Sequence, residues 1–184
     1  FNPKAKFVLH MNCEWLTQLD QALIEQRLRQ VDLVIGCSEY ITEKVRRRFP
    51  QFASRCQTVF NGVDVNHFVS ENGHSALKED DVKRLLFVGR ISPEKGVHVL
   101  LDAFEKVVEH YPQVHLDVVG PIGSAPIKFI VALSDEDRVR DLASFYRGGD
   151  YFSHLQAKLS SDDVASQVSF PGFVSHSRLV EYYR

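Results

Sequence analysis

The sequence lacks the features that identify several large classes of protein. Its three cysteines, Cys13, Cys37 and Cys56, are widely spaced and odd in number among 184 residues. They therefore argue against a disulfide scaffold or a zinc site and indicate reduced, cytoplasmic thiols. No apolar run approaches the roughly 18–20 residues of a membrane span. The charge is nearly balanced, with 22 basic and 24 acidic residues, so the composition gives no electrostatic reason to expect a nucleic-acid partner.

Short apolar runs alternate with helical patterns along the whole chain. Strands are predicted at residues 6–10, 31–35, 58–60, 85–88, 114–119 and 168–170. Helices are predicted at residues 16–29, 38–49, 95–111 and 177–184, the second capped by Ser38 and stopped by Pro50. This alternation is typical of α/β proteins with parallel, doubly wound sheets.

A polar stretch after Phe68 divides the pattern into two parts. We expect one sheet-containing domain over residues 1–68, a crossing segment over 69–83 and a second domain over 84–184. In the second domain Gly89, Gly120 and Gly172 each follow a predicted strand. Ligands of such sheets bind at the carboxyl ends of the strands, so these glycines are expected to line one rim.

The segment RLLFVGRISPEKG, residues 84–96, has the strongest chemical pattern. It predicts a strand, a tight turn and a helix, with Ser92 as the N-cap and Pro93 at the first helical position. A helix N-terminus at a strand end suits a phosphate, and Arg90 and Lys95 place two cations at that spot. The alternative interpretation is a pair of solvated charges beside an ordinary strand–helix turn.

The segment FVGRISPEKGVHVLLDAF resembles the donor-diphosphate region of retaining GT-B glycosyltransferases of the glycogen-synthase and sucrose-synthase-like superfamily, the group 1 glycosyltransferases. Upstream, CSEYITEKVRRRFP and TVFNGVDVNHF resemble the passage from the N-domain to the C-domain of that family. Downstream, HLDVVG and FPGFVSHSRLVEYY resemble its next two strands. The resemblance covers nearly the whole chain, in order, and implies two Rossmann-like domains, both incomplete.

The resemblance implies a donor site in the second domain. Gly89, Arg90 and Lys95 correspond to the residues that hold the diphosphate of a nucleotide sugar. Phe173 and Val174 correspond to the place where relatives hold the base by backbone contacts; the alternative is that they pack into the core at a strand end. Two cations stabilise a leaving diphosphate without a metal, so no metal and no cofactor are expected.

In the first domain the resemblance implies a role for His10. It corresponds to a strand-terminal histidine that contacts the transferred sugar, and is assigned here as the catalytic residue through a hydrogen bond to a sugar hydroxyl. Glu14 is the nearest carboxylate, for which a solvated surface position is the alternative to a general base. The turn Asn61–Asp64 resembles the NGVD turn of the family and is expected to be an interdomain structural element without a chemical role. The other histidines show no metal-ligand spacing.

The implied activity is retaining transfer of a hexose from a UDP-, GDP- or ADP-sugar to a glycan, lipid or small-molecule acceptor. In this family the leaving phosphate is thought to help deprotonate the acceptor on the same face. A non-catalytic nucleotide-sugar or phosphate-binding module is the alternative. A Rossmann dehydrogenase or epimerase is disfavoured because the closest approach to G-x-G-x-x-G, Gly120 to Gly123, has the wrong spacing.

Three further expectations follow. The chain begins without Met and ends within a helical pattern, before the family's two glutamates seven residues apart, so we expect an internal fragment. Arg46, Arg47 and Arg48 are expected to be the solvated end of a helix; the alternative is a patch for peripheral contact with anionic lipid. The segment between Gly120 and Val168 is longer than in the family and is expected to be mostly helical, as an added helical hairpin that covers the sheet; the alternative is a surface for a partner or an acceptor.

Overall fold

The computed structural model describes residues 4–68, 82–134, 136–159 and 162–183. The chain divides between Val63 and Asp64 into two compact units. Each unit contains a sheet of three parallel strands in sequence order, with helices packed against it. The predicted α/β class with two parallel sheets is therefore confirmed. Most of the predicted crossing segment, residues 69–81, lies outside the described residues, and the domain limits stay a prediction.

The first unit alternates strands and helices as the sequence pattern indicates. Its elements are β1 (Val8–Met11), α1 (Trp15–Gln18), α2 (Gln21–Leu28), β2 (Leu33–Gly36), α3 (Glu39–Arg48), a 3-10 helix (Pro50–Arg55) and β3 (Cys56–Thr58). The Ser38 hydroxyl caps α3 by accepting a hydrogen bond from the amide of Ile41 at 3.3 Å, as predicted. The helix ends before Pro50, and the three arginines form its last turn.

Two local predictions for this unit are wrong. The single helix expected over residues 16–29 is broken into α1 and α2, because the side chain of Asp20 accepts a hydrogen bond from the amide of Leu23 and starts a new helix. The strand expected at residues 58–60 lies earlier, at Cys56–Thr58, where it pairs with β2. The core of the unit forms around Leu28, Val34, Val45 and Phe49, all buried.

The second unit has the longer helical connection. Its elements are β4 (Lys83–Val88), a 3-10 helix (Pro93–Lys95), α4 (Val97–His110), β5 (Val114–Val119), α5 (Ile127–Ile130), α6 (Asp137–Arg140), α7 (Ala143–Arg147), α8 (Tyr151–Lys158), α9 (Asp162–Ser166), β6 (Val168–Gly172), α10 (His176–Leu179) and a 3-10 helix (Val180–Tyr182). The bounds of β5 match the prediction, and the long connection is helical, as expected. The predicted final helix is shorter and tightens into the last 3-10 helix.

The second core lies between the β4–β5–β6 sheet, α4 and α8. Its most completely buried side chains include Phe104, Leu116 and Leu155. Among the described residues, no helix is both long and apolar enough to cross a membrane.

Candidate functional site

The carboxyl edge of the second sheet is held together by backbone hydrogen bonds that its glycines make to the neighbouring strand ends. The amide of Gly89 donates to the carbonyl of Val119 at 2.9 Å, and the amide of Gly120 donates to the carbonyl of Gly172 at 2.9 Å. The predicted rim of three glycines is thus confirmed.

Gly120 is required by a close approach between the segments that follow β4 and β5. A β-carbon at this position would lie 2.7 Å from the carbonyl carbon of Gly89 and closer still to its oxygen. The φ of Gly120 is also +149°, which side chains rarely allow. Any other residue would therefore push the two strand ends apart.

The segment that follows β4 is also fixed to the segment that follows β5. The amide of Ile91 donates to the carbonyl of Pro121 at 2.9 Å, and the amide of Gly123 donates to the carbonyl of Ile91 at 3.3 Å. Ile91 and Ile122 form an isolated parallel bridge. The main chain that carries Arg90 is consequently held on both sides.

The two predicted phosphate-binding cations project from this edge. Arg90 directly follows Gly89, and 47% of its side chain is exposed. Lys95 is exposed, and its ammonium makes no ion pair with any residue that the structure describes. Both groups are accessible to an anionic ligand.

The prediction that Lys95 lies in the first turn of the helix is wrong. Lys95 closes the 3-10 helix Pro93–Lys95, and Gly96 follows in the left-handed conformation with φ +71°. The left-handed conformation of Gly96 separates the 3-10 helix from the α-helix, so α4 begins only at Val97. Lys95 is therefore carried by a separate tight turn in front of α4.

The N-terminus of α4 is partly occupied by a side chain of the long connection. The hydroxyl of Tyr151 accepts a hydrogen bond from the amide of His98 at 3.0 Å and lies 2.8 Å from the His98 Nδ1 atom. Burial lowers the pKa of His98, so the imidazole is neutral at neutral pH. One of the amides that the sequence pattern offers to a phosphate is thus already bonded.

Ser92 occupies the N-cap position of the 3-10 helix without capping it. The residue is completely buried, and its hydroxyl finds no hydrogen-bond partner among the described residues. The N-cap position of Ser92 was predicted correctly, but its side chain does not make the predicted capping hydrogen bond.

Two further residues, Glu94 and Tyr146, were not predicted from the sequence. Glu94 lies near Arg90, and Tyr146 contacts Glu94. Glu94 lies 3.7 Å from Arg90, measured from Oε1 to Nη1, and its Oε2 accepts a hydrogen bond from the Tyr146 hydroxyl at 2.8 Å. Only 15% of the Glu94 side chain is exposed. Glu94 is four residues from Arg90 in a segment that is not one continuous helix, and Tyr146 is 52 residues from Glu94. No local pattern reveals either contact.

A cavity of about 170 Å³ lies beside these residues. It is lined by the segments after β4 and β5 and by the end of α7 with the residues that precede α8. Tyr146 and Tyr151 are among the lining residues. The long connection therefore helps to form the wall of the carboxyl edge rather than merely covering the sheet.

A buried carboxylate joins all three strands within this sheet. Asp117 of β5 accepts hydrogen bonds from Ser169 of β6 and from Arg84 Nη2 of β4, the latter at 3.0 Å. Burial opposes ionisation of Asp117, but these two hydrogen bonds and the positive charge of Arg84 together outweigh it and hold the pKa of its carboxyl below the usual value. The network stabilises the sheet and leaves Arg90 outside it.

Phe173 and Val174 directly follow β6 at the same edge. Phe173 is 76% exposed and Val174 is half-buried. The alternative that Phe173 packs into the core is therefore wrong. Its exposed ring and the adjacent backbone are open to a ligand.

His10 belongs to the first unit. It is the third residue of β1 rather than the last, it is paired in register with Ile35, and its side chain is exposed. Glu14 is not a solitary solvated carboxylate, because it forms an ion pair with Lys44 that raises the pKa of the lysine.

The turn after β3 makes structural contacts of its own. The side-chain amide of Asn61 donates to Asn12 at 3.2 Å, which links the residues after β3 and β1. Asp64 accepts a hydrogen bond from the amide of Asn66 at 3.0 Å. These contacts fit the structural role expected for the turn.

Comparison with known proteins identifies the family. The sequence profile of the glycosyl transferases group 1 matches residues 70–184, more than half of the chain. Spore coat protein SA of Bacillus subtilis is 32% identical over 130 residues, which cover 64% of this chain and 34% of that protein. A phosphatidyl-myo-inositol mannosyltransferase of Mycobacterium tuberculosis is 46% identical over 61 residues, which cover 33% of this chain and 16% of the enzyme. The chain thus spans about a third or less of these two relatives.

Solved structures show the same fold. HepE of Anabaena, solved in complex with UDP-glucose, superposes with a TM-score of 0.60 at 23% identity, over 94% of this chain and 43% of HepE. A second HepE structure, in complex with UDP, gives a TM-score of 0.62 at 21% identity over 96% of this chain and 44% of that one. The two units are thus Rossmann-like and of the GT-B type. The chain belongs to the glycosyl transferases group 1 family.

Proposed function

We propose that the full-length protein transfers a hexose from a nucleoside diphosphate sugar to a glycan, lipid or small-molecule acceptor, with retention of the anomeric configuration. The observation that supports this most is the placement of Arg90 and Lys95. Both are exposed cations on a backbone-fixed segment at the carboxyl edge of β4, where ligands of such sheets bind.

The chemistry asked of these residues is stabilisation of the leaving group. As the bond between the anomeric carbon and the β-phosphate oxygen breaks, negative charge grows on the diphosphate. Two cations aimed at that charge lower the barrier through charge-assisted hydrogen bonds. The new bond forms on the same face of the sugar, and the acceptor proton passes to the leaving phosphate. No metal and no cofactor take part in this scheme.

The remaining site residues complete the proposal. The backbone at Phe173 and Val174 holds the base, and the exposure of Phe173 supports that assignment. His10, exposed on β1, donates a hydrogen bond to a hydroxyl of the transferred sugar. HepE is described with UDP and UDP-glucose, which makes a UDP-sugar the first donor to test.

The test is a turnover assay on the full-length protein. Release of UDP, GDP or ADP from the matching sugar nucleotides would be followed with and without candidate acceptors, with EDTA present throughout. We expect release with one base, and we expect loss of about 10³-fold in rate when Arg90 and Lys95 are both replaced by Ala. The proton coupling constant of the product's anomeric centre would report retention.

Either of two results would contradict the proposal. A double variant as active as the wild type would remove the cations from the chemistry. Binding of a sugar nucleotide without any turnover would favour the non-catalytic module.

A further inference from the structure

Glu94 lies between the proposed donor-binding arginine and the long connection. Each of its carboxylate oxygens has its own partner: Oε1 faces Arg90 Nη1 at 3.7 Å, and Oε2 accepts the Tyr146 hydroxyl at 2.8 Å. The side chain of Glu94 is 15% exposed, whereas that of Arg90 is 47% exposed. The carboxylate is thus the fixed member of the pair.

The contacts explain why Glu94 keeps one orientation. A carboxylate that loses most of its water needs hydrogen-bond donors in exchange, and the Tyr146 hydroxyl is one donor within hydrogen-bond distance. Tyr146 is itself suited to this task. Burial and its hydrogen bond to Glu94 raise the pKa of its phenol, so the hydroxyl keeps its proton and donates at neutral pH.

We propose that Glu94 and Tyr146 are positioning residues that hold the Arg90 guanidinium ready for the donor diphosphate. This inference rests on the proposed function, because it assumes that Arg90 grips a diphosphate. It gives the long connection between β5 and β6 a role in donor binding, through the α7 tyrosine.

A restrained arginine binds a diphosphate more tightly than a free one. A free arginine loses rotamer freedom on binding, and that loss weakens the complex. The contact with Glu94 restricts the rotamers of Arg90 before the diphosphate binds, so less rotamer freedom is lost on binding. The guanidinium has five N–H donors, and a contact with one of its nitrogens leaves the others for phosphate oxygens.

The experiment is calorimetric titration of the full-length protein with UDP, GDP and ADP. The nucleotide that binds most tightly is then titrated into two variants. Tyr146→Phe removes only the hydroxyl, and Glu94→Gln keeps the shape of the side chain but not its charge. We expect Kd to rise about 3- to 10-fold in each variant. In an Arg90→Ala background, Tyr146→Phe is expected to cause no further change, because its effect passes through Arg90.

The matched control is Ser169→Ala. The Ser169 hydroxyl donates to Asp117 between β6 and β5 of the same unit, in the network that leaves Arg90 outside. Its loss removes a comparable hydrogen bond without touching Glu94. We expect a lower melting temperature but a Kd within about 2-fold of the wild type. A merely structural role for Tyr146 would give Tyr146→Phe and Ser169→Ala the same behaviour.

The outcomes separate this inference from the proposed function. Nucleotide binding that is lost in Arg90→Ala/Lys95→Ala but unchanged in Tyr146→Phe overturns the inference alone. Tighter binding by Glu94→Gln also overturns it, since Glu94 would then compete with the diphosphate. If no nucleotide binds the wild type, both fail. Should Tyr146→Phe not fold, Glu94→Gln decides.

Discussion

The two units end their sheets in different ways, although each sheet has three parallel strands in sequence order. In the first unit the tightly packed glycine is Gly36, where a β-carbon would lie 2.9 Å from the amide nitrogen of Thr42 in α3. In the second unit it is Gly120, which meets the backbone of Gly89. Gly36 allows α3 to pack closely against β2, whereas Gly120 allows the ends of β4 and β5 to approach each other.

The polar side chains that follow the strand ends also differ between the two units. At the first edge Asn12 bonds Asn61, and Glu14 pairs with Lys44, so the polar groups are largely satisfied within the unit. At the second edge Arg90 and Lys95 stay exposed on a segment whose backbone is fixed. The comparison teaches that the two sheets share an architecture, while the chemistry lies in what each edge carries.

The largest expected effect comes from filling the glycine contact of the second edge. Gly120→Ala forces a β-carbon onto the Gly89 carbonyl and requires a positive φ. We expect the free energy of unfolding of the second unit to fall by about 3 kcal/mol or more. Hydrogen–deuterium exchange across a denaturant series would measure it for each unit.

The control for that substitution lies in the first unit. Gly62→Ala adds a β-carbon where no atom lies within 4 Å, and its φ is not positive. A change within about 0.5 kcal/mol is expected. Equal effects of the two substitutions would contradict the difference between the edges.

The next effect concerns the buried carboxylate of the second unit. The pKa of Asp117 is lower in the folded protein than its ordinary value of 3.8, so its contribution to stability is present above that value and is lost as the pH falls through the native pKa. We expect the second unit to lose stability as the pH falls below about 3.8 toward the native pKa. Asp117→Asn should remove much of that dependence and cost about 2 kcal/mol at pH 7.

Asp32 provides the comparison for acid sensitivity in the first unit. A hydrogen bond from the amide of Phe7, together with Lys6, lowers the pKa of Asp32, but this carboxyl is exposed to solvent. Asp32→Asn should therefore change the pH dependence of unfolding less than Asp117→Asn does. Urea denaturation at pH 7 and at about pH 3 would decide, and the reverse order would contradict the account.

The smallest effect distinguishes two serines at N-cap positions. Ser38 caps α3, whereas the buried hydroxyl of Ser92 makes no hydrogen bond with the described residues. Ser38→Ala should cost about 1 kcal/mol. Ser92→Ala should be neutral or stabilising, because it removes an unsatisfied buried group. Thermal unfolding of both variants measures the contrast; a larger loss from Ser92→Ala would show that its hydroxyl has a partner.

Several features that depend on local sequence pattern were predicted correctly from the sequence. The strand at Val114–Val119 is a continuous apolar-rich run with its bounds as expected, the cap at Ser38 follows from its hydroxyl, and the glycine rim follows from three strand ends. Arg90 and Lys95 could be proposed as a phosphate-binding pair because their spacing lies within one segment.

Other features depend on conformations and contacts that local pattern does not contain. The helix after Lys95 starts late because Gly96 adopts a left-handed conformation, a choice that propensity alone does not reveal. The contact of Tyr146 with Glu94 joins residues 52 positions apart, and the bond of Tyr151 to His98 joins residues 53 positions apart. Only the folded unit brings these pairs together.

The central claim is that Arg90 and Lys95 bind a nucleoside diphosphate. Calorimetric titration of the full-length protein with UDP, GDP and ADP, beside the Arg90→Ala/Lys95→Ala variant, tests it most directly. The account predicts that one nucleotide binds the wild type, with binding at least about 100-fold weaker in the variant. Equal binding by the two proteins, or no binding to the wild type, would contradict it and leave RLLFVGRISPEKG an ordinary turn between a strand and a helix.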